Sequence, residues 1–269
     1  MLILKLFTMK KLFAIVSALV LLAFCSCEKI TLSGNNIDKD FNIEGSYTGL
    51  QVANAFDVTV SDAATKITVT TDENVMPKVV VEKEGDVLKI YLKPLTLNTG
   101  MDLKVVLPYN PDLKSVELSG ASTFNSEFGL DASKIDISLS GASEFYCDLK
   151  ADKINMGLSG ASEIEGNVAA SSMELVLSGA SDATLTGKAS KLNIELSGAS
   201  NIVEKMIGNK YALVCDQCEG TISGASNAYI HCDGTIKVEL SGASNLYFTG
   251  DAFTGDSSTS GDSHITHKK

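Results

Sequence analysis

The motif Ser-Gly-Ala-Ser occurs seven times in this chain, and its spacing constrains the fold more than any other feature. Successive copies are 21, 19, 19, 19, 26 and 18 residues apart. A near-constant period in this range is typical of solenoids, in which each repeat is one structural unit that stacks on its neighbours. The first serines of the copies are Ser119, Ser140, Ser159, Ser178, Ser197, Ser223 and Ser241.

The residues that precede each motif alternate in character. In the third copy, Ile154, Met156 and Leu158 lie five, three and one positions before the first serine, and the residues between them are polar or small. The same three positions are apolar in the other copies, except for Lys114 in the first and Gly220 in the sixth. An alternation with period two predicts a strand with one buried face.

A second strand is predicted after each motif. The residue five positions beyond the first serine is apolar in every copy, and the residue four positions beyond it is polar in every copy. Each repeat then consists of a strand, a Ser-Gly-Ala-Ser corner, a second strand and a return turn. At the corner, glycine permits a backbone conformation that is closed to residues with a Cβ atom, and alanine is expected to fit a tight inner turn.

These patterns predict an all-β chain whose main part is a parallel β-helix of about seven coils. The usual step of 19 residues is enough for one coil, and like positions on successive coils then stack about 4.8 Å apart. One coil cannot bury its own apolar face, whereas stacked coils share a continuous core. The 26-residue step predicts a bulge, KMIGNKYALVCDQ, that projects from the fifth coil.

The repeat array is expected to be one of several units along the chain. A β-rich region precedes it, with alternating segments bounded by Gly, Pro, Asn or Asp and with a hairpin turn at EKEGDV. A polar tail follows it, in which His264 and His267 are expected to be solvated. The expected units are a signal peptide at 1–26, a polar, flexible tether at 27–44, the β-rich region at 45–111, the repeat array at 112–252 and the tail at 253–269.

The first 26 residues have the features of a bacterial secretory signal. Met9 is followed by two lysines, an apolar run from Leu12 to Phe24, and then small residues and cysteines. The run is shorter than the roughly 20 residues that span a membrane. The sequence FCSC resembles a lipobox, and Cys27 is the better lipidation site because the small Ser26 precedes it. The alternative is an ordinary cleaved signal peptide.

A lipid on Cys27 would hold the protein on a membrane without a spanning helix. The predicted location is therefore the outer membrane or cell envelope of a Gram-negative bacterium, facing either the periplasm or the surface. The formal net charge is -11, and removal of residues 1–26 takes away three lysines and no acidic residue. The chain contains no arginine. Nucleic acid is disfavoured as a partner, because its binding depends on cationic side chains.

The order of the motifs resembles the putative auto-transporter adhesin, head GIN domain family. The resemblance rests on an F-D-V-T-V strand, a V-V-L-P segment, L-K-S-V-E-L-S-G-A-S, the further S-G-A-S copies and a final S-G-A-S-N-L-Y-F-T-G. It covers roughly residues 49–251. It implies a right-handed β-helix in an envelope-associated protein, often a lipoprotein in Bacteroidetes, and it brings no catalytic residues. The word adhesin in the family's name does not by itself establish a ligand.

Two rows of polar side chains are candidate ligand contacts. The stacked serine hydroxyls either hydrogen-bond along the axis of the β-helix or bind a repetitive ligand such as a glycan. Four positions beyond the first serine, Glu144, Glu163 and Asp182 are expected to lie one above another, where like charges repel unless a cation or a lysine intervenes. They are weak candidates for Ca²⁺ binding, and the alternative is that they are solvated carboxylates. The row continues as a candidate asparagine ladder of Asn201, Asn227 and Asn245.

Three cysteines late in the chain admit several interpretations. Cys215 and Cys218 have the spacing of a metal knuckle or a redox pair, and His231 and Cys232 could complete four zinc ligands. Cys218 and Cys232 also occupy inward rows, so simple core packing explains them. An exported protein favours a disulfide among Cys215, Cys218 and Cys232. Cys147 is expected to be unpaired.

The expected function is that of a non-enzymatic, lipid-anchored envelope protein that binds a glycan or a protein through its β-helix. One alternative is a structural or signalling-accessory component of the envelope. Another is a carbohydrate-active β-helix enzyme. The enzyme is disfavoured because the acidic residues are scattered, arginine is absent and aromatic residues are few. No cofactor is expected.

Overall fold

A computed structural model describes residues 28–96, 100–208 and 210–268. The predicted signal peptide and Cys27 lie outside these residues. The described chain is almost entirely β-structure, with one short 3-10 helix at Met76–Lys78. Within the described ranges, no helix is long and apolar enough to cross a membrane.

The N-terminal strands correspond to the alternating segments of the sequence. The predicted hairpin at EKEGDV is confirmed, with Gly85 at φ +60 between two antiparallel strands. The strands of this region are β1 (Glu28–Lys29), β2 (Asn36–Phe41), β3 (Gly49–Val52), β4 (Asp57–Ser61), β5 (Ile67–Asp72), β6 (Val79–Glu84), β7 (Val87–Leu92), β8 (Leu95–Thr96) and β9 (Lys104–Pro108).

The repeat array forms strands on both sides of every Ser-Gly-Ala-Ser corner. Strands β15, β16 and β21 are the longest, with 15, 15 and 14 residues, because each continues through the return turn of its coil. The strands are β10 (Ser115–Leu118), β11 (Thr123–Asn125), β12 (Leu130–Leu139), β13 (Glu144–Tyr146), β14 (Leu149–Leu158), β15 (Glu163–Leu177), β16 (Asp182–Leu196), β17 (Asn201–Ile202), β18 (Met206–Ile207), β19 (Lys210–Tyr211), β20 (Leu213–Ile222), β21 (Asn227–Leu240), β22 (Asn245–Thr249), β23 (Ser258–Thr259) and β24 (His264–His267).

The strands of successive coils pair in parallel and in register. Leu139 lies opposite Leu158, and Leu158 lies opposite Leu177. The apolar positions before each motif point inward, as Ile154 and Met156 show with 0% and 2% exposure. The predicted parallel β-helix is therefore confirmed, and the solenoid makes about eight turns.

Glycine is required at the corner because the coils approach each other closely there. Gly160 has φ +82, and a Cβ atom on it would lie 2.4 Å from the carbonyl oxygen of Gly141 on the preceding coil. That same oxygen accepts a hydrogen bond from the Ala161 amide at 2.7 Å. The corner is thus a backbone-to-backbone contact that a side chain would block.

The expected position of the alanine is wrong. Ala161 is exposed at the surface, and it is the last serine of the motif, Ser162, that is buried with 1% exposure. The Ser162 hydroxyl donates a hydrogen bond to the carbonyl oxygen of Ser159 at 2.8 Å. A buried hydroxyl needs such a partner, and here the bond closes the corner from inside.

The solenoid begins earlier than the expected boundary at residue 111. Strands β3 and β4 pair in parallel with β10 and β11, so they form a further coil below the first Ser-Gly-Ala-Ser copy. Its corner residue is Asn54, which has φ 84 in place of a glycine. Asparagine tolerates this conformation better than most residues.

The segment 27–44, expected as a polar, flexible tether, is part of the folded body over most of its length. Strand β2 pairs antiparallel with β5 over six residues, from Asn36 opposite Asp72 to Phe41 opposite Ile67. Strand β5 in turn pairs antiparallel with β9, and β6 pairs antiparallel with β7. Strands β7 and β9 also pair in parallel with β3 and β4, so they continue the stacking of the coils. Strands β2, β5 and β6 add the antiparallel cap that protects this end of the solenoid.

The segment 253–269, expected as a polar tail, forms one more coil. Ser260, Gly261, Asp262 and Ser263 repeat the corner, with Gly261 at φ +73 and Ser263 donating to the Ser260 carbonyl at 2.7 Å. Strands β23 and β24 pair in parallel with β21 and β22. The ring of His267 stacks on Phe248 at 4.7 Å between centroids, and His267 is still exposed to solvent, as is His264.

The predicted bulge of the fifth coil is a short hairpin. Strands β18 and β19 pair antiparallel, with Met206 opposite Tyr211 and Ile207 opposite Lys210. Met206 and Ile207 are 44% and 66% exposed.

Candidate functional site

The first serine of each corner contacts the backbone of the preceding coil, so its role is structural. These serines face outward beside the sheet, and most are half-buried. The Ser159 hydroxyl lies 3.4 Å from the carbonyl oxygen of Leu139 on the preceding coil, which is long for a hydrogen bond. The repeated hydroxyls thus reinforce the stacking of the coils.

The three carboxylates of the predicted acidic row do stack on successive coils. Glu144 lies opposite Glu163, and Glu163 lies opposite Asp182. Burial, together with the neighbouring charges of Glu144 and Asp182, raises the pKa of Glu163. Among the described residues, no group of three carboxylate, imidazole or thiol side chains is arranged to hold a metal ion. The geometry therefore gives the Ca²⁺ interpretation no support.

The acidic row is partnered from within the protein at its edges. The Tyr146 hydroxyl donates to Glu144 at 3.0 Å, and burial together with this carboxylate raises the pKa of Tyr146 to about 12. Lys205, at the base of the hairpin, pairs with Glu165 at 3.1 Å. The first contact engages the row at Glu144, and the second engages Glu165, which lies two residues beyond Glu163.

The predicted asparagine ladder is present and extends the acidic row. The side-chain amide of Asn201 donates to Asp182 at 2.8 Å. The Asn227 amide donates to Asn201, and the Asn245 amide donates to Asn227, both at 3.0 Å. Each asparagine thus bridges two coils, and the ladder is a structural element.

The four cysteines within the described residues are free thiols in the core. Cys147, Cys215, Cys218 and Cys232 are all buried, and none forms a disulfide. Cys215 lies directly opposite Cys232 on the next coil. The neighbouring Cys218 thiol and burial raise the pKa of Cys215, and burial raises the pKa of Cys147 to about 11. A thiol with a raised pKa is a poor nucleophile and metal ligand, so burial accounts for these residues.

The zinc interpretation fails at its histidine. His231 is 3% exposed, and its Nδ1 lies 2.9 Å from the Thr249 hydroxyl. Its Nε2 lies 3.2 Å from an Asp233 carboxylate oxygen. Both ring nitrogens are therefore engaged by side chains other than the cysteines.

A groove that sequence reasoning missed lies on the outward face of the sheet before the corners. It has a volume of about 610 Å³ and runs across β7, β3, β10, β12, β14 and β15. We call it the sheet groove. Its defining side chains are Glu117, Asp136, Ser138, Asn155, Glu174 and Val176.

The sheet groove contains paired charges and one buried hydrogen-bond acceptor that has no partner among the described residues. Asp136 accepts hydrogen bonds at 2.6 Å from both Lys134 and the side-chain amide of Asn155. Lys153 lies 3.9 Å from Glu174. The Oδ1 atom of Asn155 is buried and has no hydrogen-bond partner within the described chain. Such an atom is costly to leave unsatisfied, and here it is screened from solvent by its neighbours.

The fold and this face define a β-solenoid with an open groove that is lined by both charged and aliphatic side chains. No cluster of metal-binding side chains lies in the described part of the chain. The chain belongs to the putative auto-transporter adhesin, head GIN domain family, whose model matches residues 46–252. The predicted family resemblance is therefore confirmed. No curated protein matches the chain.

Solved structures share the fold. A putative adhesin from Parabacteroides merdae has a TM-score of 0.79 and 18% identity, covering 90% of this chain and all of that one. A putative adhesin from Parabacteroides distasonis has a TM-score of 0.72 and 20% identity, covering 90% of this chain and 98% of that one. A protein from the same organism described as a putative lipid binding protein has a TM-score of 0.76 and 19% identity, covering 90% and 100%.

Proposed function

We propose that this protein is a non-enzymatic, lipid-anchored component of the cell envelope that binds a glycan or a protein through the sheet groove. The observation that carries the proposal is the groove itself, which is open across six strands and is lined by carboxylate, ammonium, amide and hydroxyl side chains beside aliphatic ones. Membership of an adhesin-like family supports an envelope or extracellular location.

The arrangement of the carboxylates supports binding over catalysis. Hydrolysis of a glycoside needs two carboxyl groups that flank the bond and are free to exchange protons or attack. In the sheet groove, Asp136 already holds Lys134 and Asn155, and Glu174 has Lys153 as its neighbour. Asp136 and Glu174 can orient a ligand, but they have internal partners. Glu117 is the remaining carboxylate of the groove, which is one fewer than hydrolysis needs.

The proposed anchor at Cys27 would sit directly on the folded body. Strand β1 starts at Glu28 and pairs with β8, so the first described residues leave almost no spacer after the lipid. Metabolic labelling with a clickable palmitate tests the anchor. Cys27→Ser should abolish the label and Cys25→Ser should retain it, whereas equal labelling of both variants would refute an anchor at Cys27.

The binding function is tested with a groove variant and a matched control. Ser138→Trp places a large side chain in the sheet groove, and Thr221→Trp places it at the same outward strand position on a coil beyond the groove. Both proteins are applied to an array of glycans and extracellular-matrix proteins. The proposal expects wild-type binding that is lost in Ser138→Trp and kept in Thr221→Trp. Equal binding by both variants, or no binding by the wild type, would refute it.

A further inference from the structure

The sheet groove has a direction and a period that narrow the chemistry of its ligand. We propose that it binds a linear, uncharged polysaccharide that lies along the solenoid axis with one sugar residue over each coil. This inference rests on the proposed binding function and names the ligand class for the same site.

The period of the groove is set by the parallel, in-register stacking of its strands. Glu117 lies opposite Ser138, Ser138 opposite Gly157, and Gly157 opposite Val176. Neighbouring strands are about 4.8 Å apart, so the six strands of the groove span roughly 24 Å. That spacing is close to the length of one pyranose ring in an extended chain. A polymer along the axis can therefore present the same group to every coil.

The lining chemistry suits hydroxyl groups. A sugar hydroxyl both donates and accepts hydrogen bonds, and the groove offers carboxylate, amide and hydroxyl side chains in Glu117, Asn155 and Ser138. Half-buried Val176 gives the carbon face of a sugar an apolar contact at one end of the groove.

The charges of the groove disfavour polyanions. Its lining contains three carboxylates and two lysines, and the lysines Lys134 and Lys153 lie next to Asp136 and Glu174. A sulfated or uronic-acid polymer would meet uncompensated negative charge at Glu117. The chain also has no arginine to grip an anionic group. An uncharged polymer avoids this repulsion.

The chemistry also favours a polysaccharide over a protein partner. The energetic centre of a protein interface is commonly a cluster of aromatic or aliphatic side chains. Among the described residues, no aromatic side chain lines the sheet groove. Four of its aliphatic side chains are buried in the core, namely Leu50, Val116, Ile137 and Met156. The half-buried Val87 and Val176 are the apolar side chains left to meet a partner. A protein ligand is therefore an outcome that would count against this inference.

The test is calorimetric titration of the mature protein with neutral oligosaccharide series, namely cello-, manno-, laminari- and chito-oligosaccharides from trisaccharide to octasaccharide. Polygalacturonate fragments serve as the anionic comparison. We expect one neutral series to bind, with affinity that rises up to the hexasaccharide and then stays constant, because six strands line the groove. Ser138→Trp should weaken the hexasaccharide by at least about tenfold, and Thr221→Trp should leave it within about twofold. Circular dichroism confirms that both variants are folded.

The remaining outcomes separate the inference from the proposed function. If polygalacturonate or an array protein binds in a Ser138-dependent manner and no neutral series does, the polysaccharide inference is wrong and the binding function stands. If a neutral series binds with an affinity that does not depend on its length, the placement of one sugar residue over each coil is wrong. If both tryptophan variants bind a neutral series equally, the site in the sheet groove is wrong, and with it the function proposed above.

Discussion

The coil formed by β3 and β4, called the first coil here, turns its corner with Asn54, whereas the coils of the repeat array turn theirs with glycine. In the array, the glycine leaves room for the carbonyl oxygen of the preceding coil. In the first coil, Asn54 keeps the left-handed backbone, and its Oδ1 accepts a hydrogen bond from the Leu92 amide at 2.9 Å. The Asn54 side chain thus faces the Leu92 amide, whereas each later corner glycine faces the backbone of the preceding corner. The difference teaches that the glycine is demanded by the preceding coil as well as by the turn.

The buried position of the corner shows the same contrast. In the array it is a serine whose hydroxyl bonds inside the corner, as Ser162 does with Ser159. In the first coil, by register, it is Phe56, which is fully buried. The interior next to the cap therefore accepts an apolar ring, whereas the interior of the array is set by a repeated hydrogen bond.

The largest effect is expected when one methyl group is added at a corner of the array, which tests whether the preceding coil requires the glycine. Gly160→Ala should lower the free energy of unfolding by roughly 3 kcal/mol, because the Cβ adds steric overlap to backbone strain. Gly34→Ala is the control, since Gly34 has nearly the same φ, +80, and nothing within 4 Å of its Cβ position. It should cost only about 1 kcal/mol. Urea unfolding measures both free energies. Equal losses for the two variants would show that contact with the preceding coil does not require glycine at position 160.

The hydrogen bond inside the corner is the next largest effect. Ser162→Ala should lower the free energy of unfolding by about 1–2 kcal/mol, because it removes a buried donor and leaves the Ser159 carbonyl short of a partner. Ser159→Ala removes only a long contact of 3.4 Å from a half-buried side chain, and should cost less than about 0.5 kcal/mol. The account fails here if the two losses, measured by urea unfolding, come in the reverse order.

The first coil should lose stability when the hydrogen bond between the Leu92 amide and the Asn54 side chain is removed. Asn54→Gly keeps the backbone conformation accessible but removes the acceptor for the Leu92 amide. The expected loss is about 1 kcal/mol of unfolding free energy. Asn54→Asp retains an acceptor oxygen and should be close to wild type in the same thermal and urea experiments. A stability gain in Asn54→Gly would show that the side chain is merely tolerated.

The smallest effect concerns the acidic row and depends on pH. The raised pKa of Glu163 means that the folded state favours the protonated carboxyl, so stability falls as pH rises from the ordinary value of 4.5 through the raised value. Glu163→Gln should therefore stabilise the protein by about 0.5 kcal/mol at neutral pH and have no effect in acid. Glu195→Gln is the control, because Glu195 lies between Val176 and Thr221 on the neighbouring coils. A gain that is the same at both pH values would contradict this origin.

The inward-facing positions of the coils could be predicted from the sequence, because burial restricts which residue types they can hold. The apolar rows and the asparagine ladder recur at fixed positions, and the structure places them as predicted. The last coil was missed because Asp262 replaces alanine in its corner, and that position tolerates the change since it is exposed. The first coil was missed because Asn54 and Phe56 replace glycine and serine.

The candidate site could not be read from the repeats, because outward positions carry no common residue type. Glu117, Ser138, Gly157 and Val176 occupy equivalent positions on four coils and differ in charge, polarity and size. Only the stacked structure shows that they line one groove. The unsatisfied Oδ1 of Asn155 is likewise a property of packing, and no sequence pattern predicts it.

Hydrogen exchange of the corner amides tests the central claim most directly, because it needs no mutation. The alanines of the corners are exposed at the surface, yet the amides of Ala142, Ala161 and Ala180 each donate to the glycine carbonyl of the preceding coil at 2.7 Å. The Asp262 amide does the same to Gly242 at 2.8 Å. Continuous stacking predicts that all four amides exchange as slowly as the buried strands beside them. Exchange at the rate of an unstructured peptide would contradict the account.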